Sequence, residues 1–289
     1  MSQRVIFWGH RDPVEFRDAA NWLEVHCDCR FVPAGTVPLL GDWAPDWVIV
    51  AQQRPGEFQH DEVERLMLRF PLAAWIALLG SWCEGETRTG RPLPGVQRVF
   101  WHQWQPRLAR FLLGQSADSP QRMPRTASEA EITMAGLAGP QAILRSAAGD
   151  RPLTSLRIRP TALVRCGNAR WTVFRELLAE WGLLVRRVDC DRTTRIDIEP
   201  PQATSALYYL CDTGPGLDCD REDFAADLRR FQPLGAIAIV DFPRWQERLA
   251  WSRAGADHVL ARPWLIADLA WSLRILGSGL NSTTARRTA

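Results

Sequence analysis

The sequence predicts an α/β protein made of two three-layer α/β/α domains, each with a five-stranded parallel sheet. Three observations lead there. Short apolar runs of strand length alternate with segments whose apolar residues recur at helical spacing, which is the rhythm of a parallel sheet covered on both faces. That rhythm occurs twice. The aromatic residues fall into the same two blocks, with eight Trp from Trp8 to Trp104, six from Trp171 to Trp271, and no aromatic residue between Phe111 and Trp171.

In the first block, RVIFWG (4–9) reads as a strand. Asp12 as N-cap, Pro13 as first helical residue and Glu15 in the first turn then open a helix carrying Phe16, Ala19, Ala20 and Leu23 on one face. CRFVP (29–33), DWVIVAQ (46–52), AAWIALLG (73–80) and RVFWHQW (98–104) read as further strands, with DEVERLMLRF (61–70) as a helix between the third and fourth. PRLARFLLG closes the block as a helix running from Pro106 to Gly114. The domain expected here spans residues 1–114.

Residues 115–158 are rich in Ser, Pro, Gly and Ala with balanced charge, and they read as a linker with a short helical piece near 135–144. In the second block, TALVRCG (161–167) is a strand ending at Gly167, and RWTVFRELLAEWG (170–182) is a helix. LLVRRVD (183–189) and SALYYLCD (205–212) read as strands. REDFAADLRRF (221–231) is a helix with Asp220 as N-cap and Asp223 three residues on. GAIAIVDF (235–242) is a buried strand, RWQERLAWSRAG a helix closed by Gly255, DHVLARP (257–263) a strand, and WLIADLAWSLRILG a last helix opened by Pro263. This second domain is expected over 159–277, followed by a loose tail over 278–289.

Composition narrows the function classes. The net charge is +2, and the 35 cationic residues are all Arg, spread along the chain with no basic patch that would suit nucleic acid. Seven cysteines (27, 29, 83, 166, 190, 211 and 219) form no CxxC pair, and several lie in apolar runs; they read as reduced thiols of an intracellular protein. The opening MSQRVIFWGHRD has one short apolar run that meets His10, Arg11 and Asp12, and so reads as neither signal peptide nor membrane span. A cytoplasmic protein without a membrane role is expected.

The segment GAIAIVDF, a helix, AGADHVLARPW and a final amphipathic helix together resemble the fourth and fifth strands of a bacterial response-regulator receiver domain, in which AGAD-x-hydrophobic-x-Lys-Pro-aromatic is common. By order of elements the resemblance covers residues 160–276. It implies the flavodoxin-like receiver fold, and for the first block a receiver-like fold by rhythm alone. Receivers transfer a phosphoryl group to an Asp at the end of the third strand. They hold Mg²⁺ on acids after the first strand, keep a hydroxyl residue after the fourth, and place a Lys before the proline.

By that resemblance Asp212 stands where the acceptor would be, while the first strand ends VRCGN with Arg165 and no acid. Val240, Asp241 and Phe242 occupy the place of the hydroxyl residue, and Arg262, a planar fork and not a compact ammonium, replaces Lys. Asp212, Asp241 and Arg262 are therefore expected to form a degenerate phosphoacceptor pocket in which Arg262 pairs with Asp212 or Asp241 in place of the metal. In the first block Gln52 and Gln53 stand where the acceptor would be.

The resemblance with these losses implies a pseudo-receiver. Such a protein is a non-catalytic, unphosphorylated, protein-binding module of bacterial signalling or regulation, with an unidentified protein partner, homodimerisation left open and no cofactor. The competing class is a two-domain α/β enzyme or small-molecule-binding protein, similar in plan to nucleotide-sugar glycosyltransferases and using an inter-domain cleft or the 78–104 loop. Neither GxGxxG nor a P-loop supports it.

Two clusters suggest metals only superficially. Asp212, Asp218, Asp220, Glu222 and Asp223 do not have Ca²⁺-loop spacing, and at least half of them suit a helix start; His26, Cys27 and Cys29 have no second cluster to complete a zinc site. The stretch 78–104 is richer, because it follows a fourth strand at the edge where open α/β sheets bind ligands. Its Trp82, Cys83, Glu84, Glu86, Arg88, Trp101, His102 and Trp104 form a candidate interaction or ligand surface, against the plain reading of a loop that packs its own Trp side chains over the sheet.

Overall fold

The computed structural model describes residues 2–36, 43–86, 90, 92–113, 131, 160–188, 207–213 and 219–277. The chain divides into two compact units, one holding residues 1–114 and the other all described residues from Pro160 onward. But for Glu131, the expected linker lies outside the described residues, as do Arg88, Cys190, Asp218 and the tail.

The first unit comprises β1 (Arg4–Gly9), α1 (Val14–His26), β2 (Asp28–Val32), β3 (Trp47–Gln52), α2 (His60–Arg69), β4 (Ala74–Leu79), β5 (Gln97–Phe100) and α3 (Trp104–Leu113). Its strands lie in the order β2-β1-β3-β4-β5, all parallel. The second unit comprises β6 (Thr161–Arg165), α4 (Asn168–Glu180), β7 (Leu184–Arg187), β8 (Leu207–Asp212), α5 (Arg221–Phe231), β9 (Gly235–Asp241), α6 (Trp245–Arg253), β10 (His258–Arg262) and α7 (Ile266–Gly277). Its order, β7-β6-β8-β9-β10, is the same arrangement, again parallel throughout. Both units are flavodoxin-like: the chain starts near the middle, builds outward to one edge, then returns to build the other. The strand order reverses beside β1 and beside β6, which opens a crevice at the carboxyl ends of the strands.

Burial explains the strand compositions. Every residue of β3 is buried, and so is every residue of β9 before its final Asp241. Central parallel strands covered on both faces need continuous apolar runs, whereas the edge strands β2 and β7 tolerate exposed Asp28, Arg30 and Arg186. Each fully buried Val, Ile or Leu contributes about 1.5–3 kcal/mol, so the central strands hold much of the stability of each unit. In the first unit Trp8 of β1 shares a core cluster with Phe58, Val63 and Leu66; in the second, Tyr209 of β8 shares one with Phe224 and Trp251.

Local signals succeed where chemistry is local. Asp220 caps α5, its carboxylate accepting the Asp223 backbone N–H at 2.8 Å. Gly255, at φ +106°, ends the turn after α6 in the left-handed region that a glycine adopts without cost.

Three boundaries move. Pro13, not Asp12, is the residue before α1, and no side chain caps that helix. The carbonyl of Asp12 accepts a bond from Arg17 at 2.9 Å, and the Glu15 carboxylate leaves its own helix to accept the Ser81 N–H at 3.2 Å. β5 stops at Phe100 because Trp101–Gln103 coil into a 3₁₀ turn that leads directly into α3. Pro106 therefore sits third in α3, within a first turn whose N–H groups lack intrahelical partners anyway. Finally, Pro263 follows Arg262 through a cis peptide, and α7 begins only at Ile266, where the Asp268 carboxylate accepts the Leu265 N–H at 3.1 Å.

His258, buried at the start of β10, faces α7. Its Nδ1 lies 3.1 Å from Ser272 Oγ, and that hydroxyl donates to the Asp268 carbonyl at 2.9 Å, so Nδ1 carries the proton and donates to Ser272. Burial, with Arg248 adding to it, lowers the His258 pKa to about 4.

Two outcomes are expected. Gly9 adopts φ +136°, and an added Cβ would lie 2.5 Å from the Ala51 carbonyl oxygen. Gly9→Ala should thus lower first-unit stability by about 1–3 kcal/mol, read in urea unfolding by Trp fluorescence. For His258, the unfolded state takes up a proton that the folded state refuses between pH ~6.5 and ~4, so stability should fall as pH drops through that window, by roughly 3 kcal/mol in all. His258→Gln should flatten that part of the thermal midpoint profile.

Candidate functional site

At the carboxyl end of the second sheet, β8 delivers Asp212 to a position where it is 1% exposed. A buried carboxylate needs charge compensation, and two guanidinium groups supply it. Arg170, in the first turn of α4, donates from Nη1 to Asp212 Oδ2 at 2.7 Å. Arg262, the last residue of β10, donates from Nη2 to Asp212 Oδ1 and from Nη1 to Asp241 Oδ1.

The sheet itself sets this geometry. Arg262 is the parallel partner of Asp241 across β10 and β9, and Asp212 ends the next strand over. The fork of one guanidinium thus spans two strand-end carboxylates, a bridge that a single ammonium would make less well. Burial works against the Arg262 charge, but the hydrogen bonds to Asp241 and Asp212 raise its pKa above the ordinary value. Thr213 fixes the edge by donating its N–H and its hydroxyl to the Ile239 carbonyl at 2.9 and 3.0 Å.

Asp212, Asp241 and Arg262 are therefore together in space, and Arg262 reaches both acids. Arg170 is the member the sequence reading missed. Its only signal in the sequence is a basic residue in the first turn of the helix that follows β6. Arg165 points elsewhere: it donates to Asp227 Oδ2 on α5 at 2.6 Å, and the same oxygen accepts the Tyr209 hydroxyl at 2.5 Å. Desolvation opposes the Arg165 charge, but Asp227 more than offsets it.

The corresponding edge of the first unit is neutral at its centre. Gln52, at the end of β3, donates to Glu86 Oε1 at 2.8 Å, and Arg98 pairs with Glu86 Oε2 at 3.2 Å. Cys83 donates its thiol to the Gln52 carbonyl at 3.5 Å, and burial pushes the thiol up to about 11, which suits packing and not nucleophilic attack. His102 is buried with Nε2 3.7 Å from Glu84 Oε1. Burial and the neighbouring Glu15 raise the Glu84 pKa.

Of the eight residues of 78–104 singled out above, Cys83, Glu86, Trp101, His102 and Trp104 are buried and Arg88 lies outside the described residues. Trp82, 69% exposed with Arg54 over its ring, and Glu84 are the members that face solvent. Among the described members of that candidate interaction or ligand surface, Trp82 and Glu84 are thus the ones that offer exposed area. Trp101 and Trp104, in the turn and helix that follow β5, bury their area in the core, while Trp82, in the segment between β4 and β5, does not. Among the described residues, no group of three or more His, Cys, Asp or Glu is placed to hold a metal ion, and no helix is long and apolar enough to cross a membrane.

No protein-family model matches the chain, and no curated protein matches it. Among solved structures it is similar to a two-component response regulator from Clostridium difficile, at 13% identity over 43% of this chain and 100% of that one, with a TM-score of 0.34. It is also similar to a response regulator receiver domain protein from Clostridium thermocellum, at 17% identity over 42% and 98% of the two chains, with a TM-score of 0.34. A third is the C-terminus of RcsC from E. coli, containing a linker region and a phosphoreceiver domain, at 12% identity over 100% and 97%, with a TM-score of 0.33. The fold assignment rests on the strand order and register described above.

The arginine pair gives a stability expectation. Arg262→Met or Arg170→Met leaves one oxygen of a buried carboxylate without its donor and should cost about 1–3 kcal/mol. Replacing both leaves Asp212 uncompensated and should cost about 3–5 kcal/mol. Urea unfolding of the single and double variants measures the difference.

Proposed function

We propose that this chain is a pseudo-receiver, a protein that keeps the receiver framework and acts by protein contact in a bacterial signalling or regulatory assembly, not by aspartyl phosphorylation. The observation that carries the reading is the double engagement of Asp212. Acyl phosphate formation needs a carboxylate oxygen free to attack phosphorus, with cationic charge free to meet the transferred phosphoryl group. At this edge each Asp212 oxygen accepts a hydrogen bond from a guanidinium, and the two acids and two arginines sum to zero charge. A divalent cation brought here would face two fixed positive charges.

Arg262 supports the same reading. In a receiver, the Lys before the proline helps to offset charge on the transferred phosphoryl group. A guanidinium bound to two strand-end carboxylates is held by more bonds and has less reason to leave. The pocket then works as a structural tie among β8, β9, β10 and α4. Residues 1–114 and 159–277 are read as the two domains of this protein, joined by 115–158, and the partner is a protein.

The test is direct. Incubation of the full chain with acetyl phosphate and Mg²⁺ should leave its intact mass unchanged, and a stoichiometric hydroxylamine-sensitive phosphate on Asp212 would overturn the reading. Nucleotides and nucleotide sugars should leave the thermal midpoint in place, since a ligand of the native state would raise it.

A further inference from the structure

We propose that Cys211 and Cys219 are an oxidisable thiol pair that closes to an intramolecular disulfide when a hydroperoxide reacts at Cys219, joining the end of β8 to the start of α5 beside Asp212. The inference stands apart from the proposed function, because neither thiol belongs to the Asp212 network.

Geometry carries it. The two sulfurs lie 3.3 Å apart. A disulfide needs about 2.0 Å, so closure asks for an approach of roughly 1.3 Å. Both residues sit on fixed supports: Cys211 is held in β8 between Arg165 of β6 and Ala238 of β9, and Cys219 directly precedes the capping residue Asp220. Both thiols belong to the same core cluster as Phe224, Trp251 and Tyr209, whose rings pack on one another.

The two thiols are not equivalent. Cys211 is fully buried, while Cys219 retains 9% exposure. The hydrogen bond between them lowers the Cys219 pKa and raises that of Cys211; burial opposes the first effect, and Arg165 favours the thiolate of both. Cys219 also stands at the amino end of α5, which favours a thiolate there. The other thiols with shifted pKa values move the opposite way: burial pushes Cys27 and Cys83 to about 11 and Cys29 to about 12. Cys219, the more exposed of the two and the one at the amino end of α5, is assigned as the attacking thiol and Cys211 as the one that resolves.

The chemistry balances with one hydroperoxide. The Cys219 thiolate attacks a peroxide oxygen, the O–O bond breaks, and Cys219 becomes a sulfenic acid as hydroxide leaves and takes up a proton as water. Cys211 then attacks the Cys219 sulfur, the S–S bond forms, and the sulfenic oxygen departs with the Cys211 proton as a second water. Two thiols lose two electrons and hydrogen peroxide gains them. A thiol reductant reverses the result. Limited access at Cys219 favours an oxidant as small as hydrogen peroxide over bulkier disulfides.

The experiment uses the full chain, titrated with hydrogen peroxide, alkylated, digested and mapped by mass spectrometry. A Cys211–Cys219 cross-linked peptide should appear, both residues should escape alkylation together, and dithiothreitol should restore them. Cys219→Ala should abolish the cross-link and leave Cys211 unmodified at the same peroxide concentration. Accumulation of Cys219 sulfinic acid in the unsubstituted chain with Cys211 still alkylatable would overturn the proposal, as would a peroxide titration that leaves both thiols alkylatable.

Discussion

A carboxylate at the end of a central, doubly covered parallel strand cannot stand alone, because water is absent and the cost of an uncompensated charge there is several kcal/mol. In the second unit Asp212 occupies such a place, and Arg170 and Arg262 meet it. Much of the local architecture follows from that meeting. Arg262 ties β10 to β8 and, through Asp241, to β9, while Arg170 ties α4 to the same point. The carboxyl edge of the second sheet is thereby lined with paired protein charges.

The first unit meets the same constraint without a charge at the strand end. Gln52 puts an amide where the second unit has an acid, and its donor goes to Glu86, which Arg98 compensates. A neutral group lowers the desolvation cost, and the remaining acid is moved to a position where a guanidinium reaches it. Two edges of identical topology thus carry different chemistry. Fold and function are separable for that reason: the parallel framework is maintained by apolar strands, and the edge residues are free to change.

Much of the fold was legible in the sequence because its causes are local or periodic. β3 and β9 were readable as continuous apolar runs, since a strand buried on both faces has no polar alternative. The Asp220 cap was readable from a three-residue spacing. The boundaries that moved were those decided by distant partners. Glu15 reaches Ser81, sixty-six residues away, in place of supporting its own helix, and Trp101–Gln103 coil because the chain must turn into α3. Arg170 was missed because a basic residue early in an amphipathic helix looks solvent-facing until the sheet places Asp212 beside it.

From the sequence alone came the two α/β units, the identity of the strand-end residues, and the expectation that Arg262 would pair with Asp212 or Asp241. Those rest on periodicity and on the chemistry of single positions, which a linear string contains. The tertiary structure decided that one guanidinium spans both acids, that a second arrives from α4, that Cys83 and His102 are packed away, and that Cys211 and Cys219 meet. The first depends on register between strands distant in the chain, and the others on where helices and turns settle against that sheet. Register sums many weak contacts over the whole sheet, and no short stretch of residues records that sum.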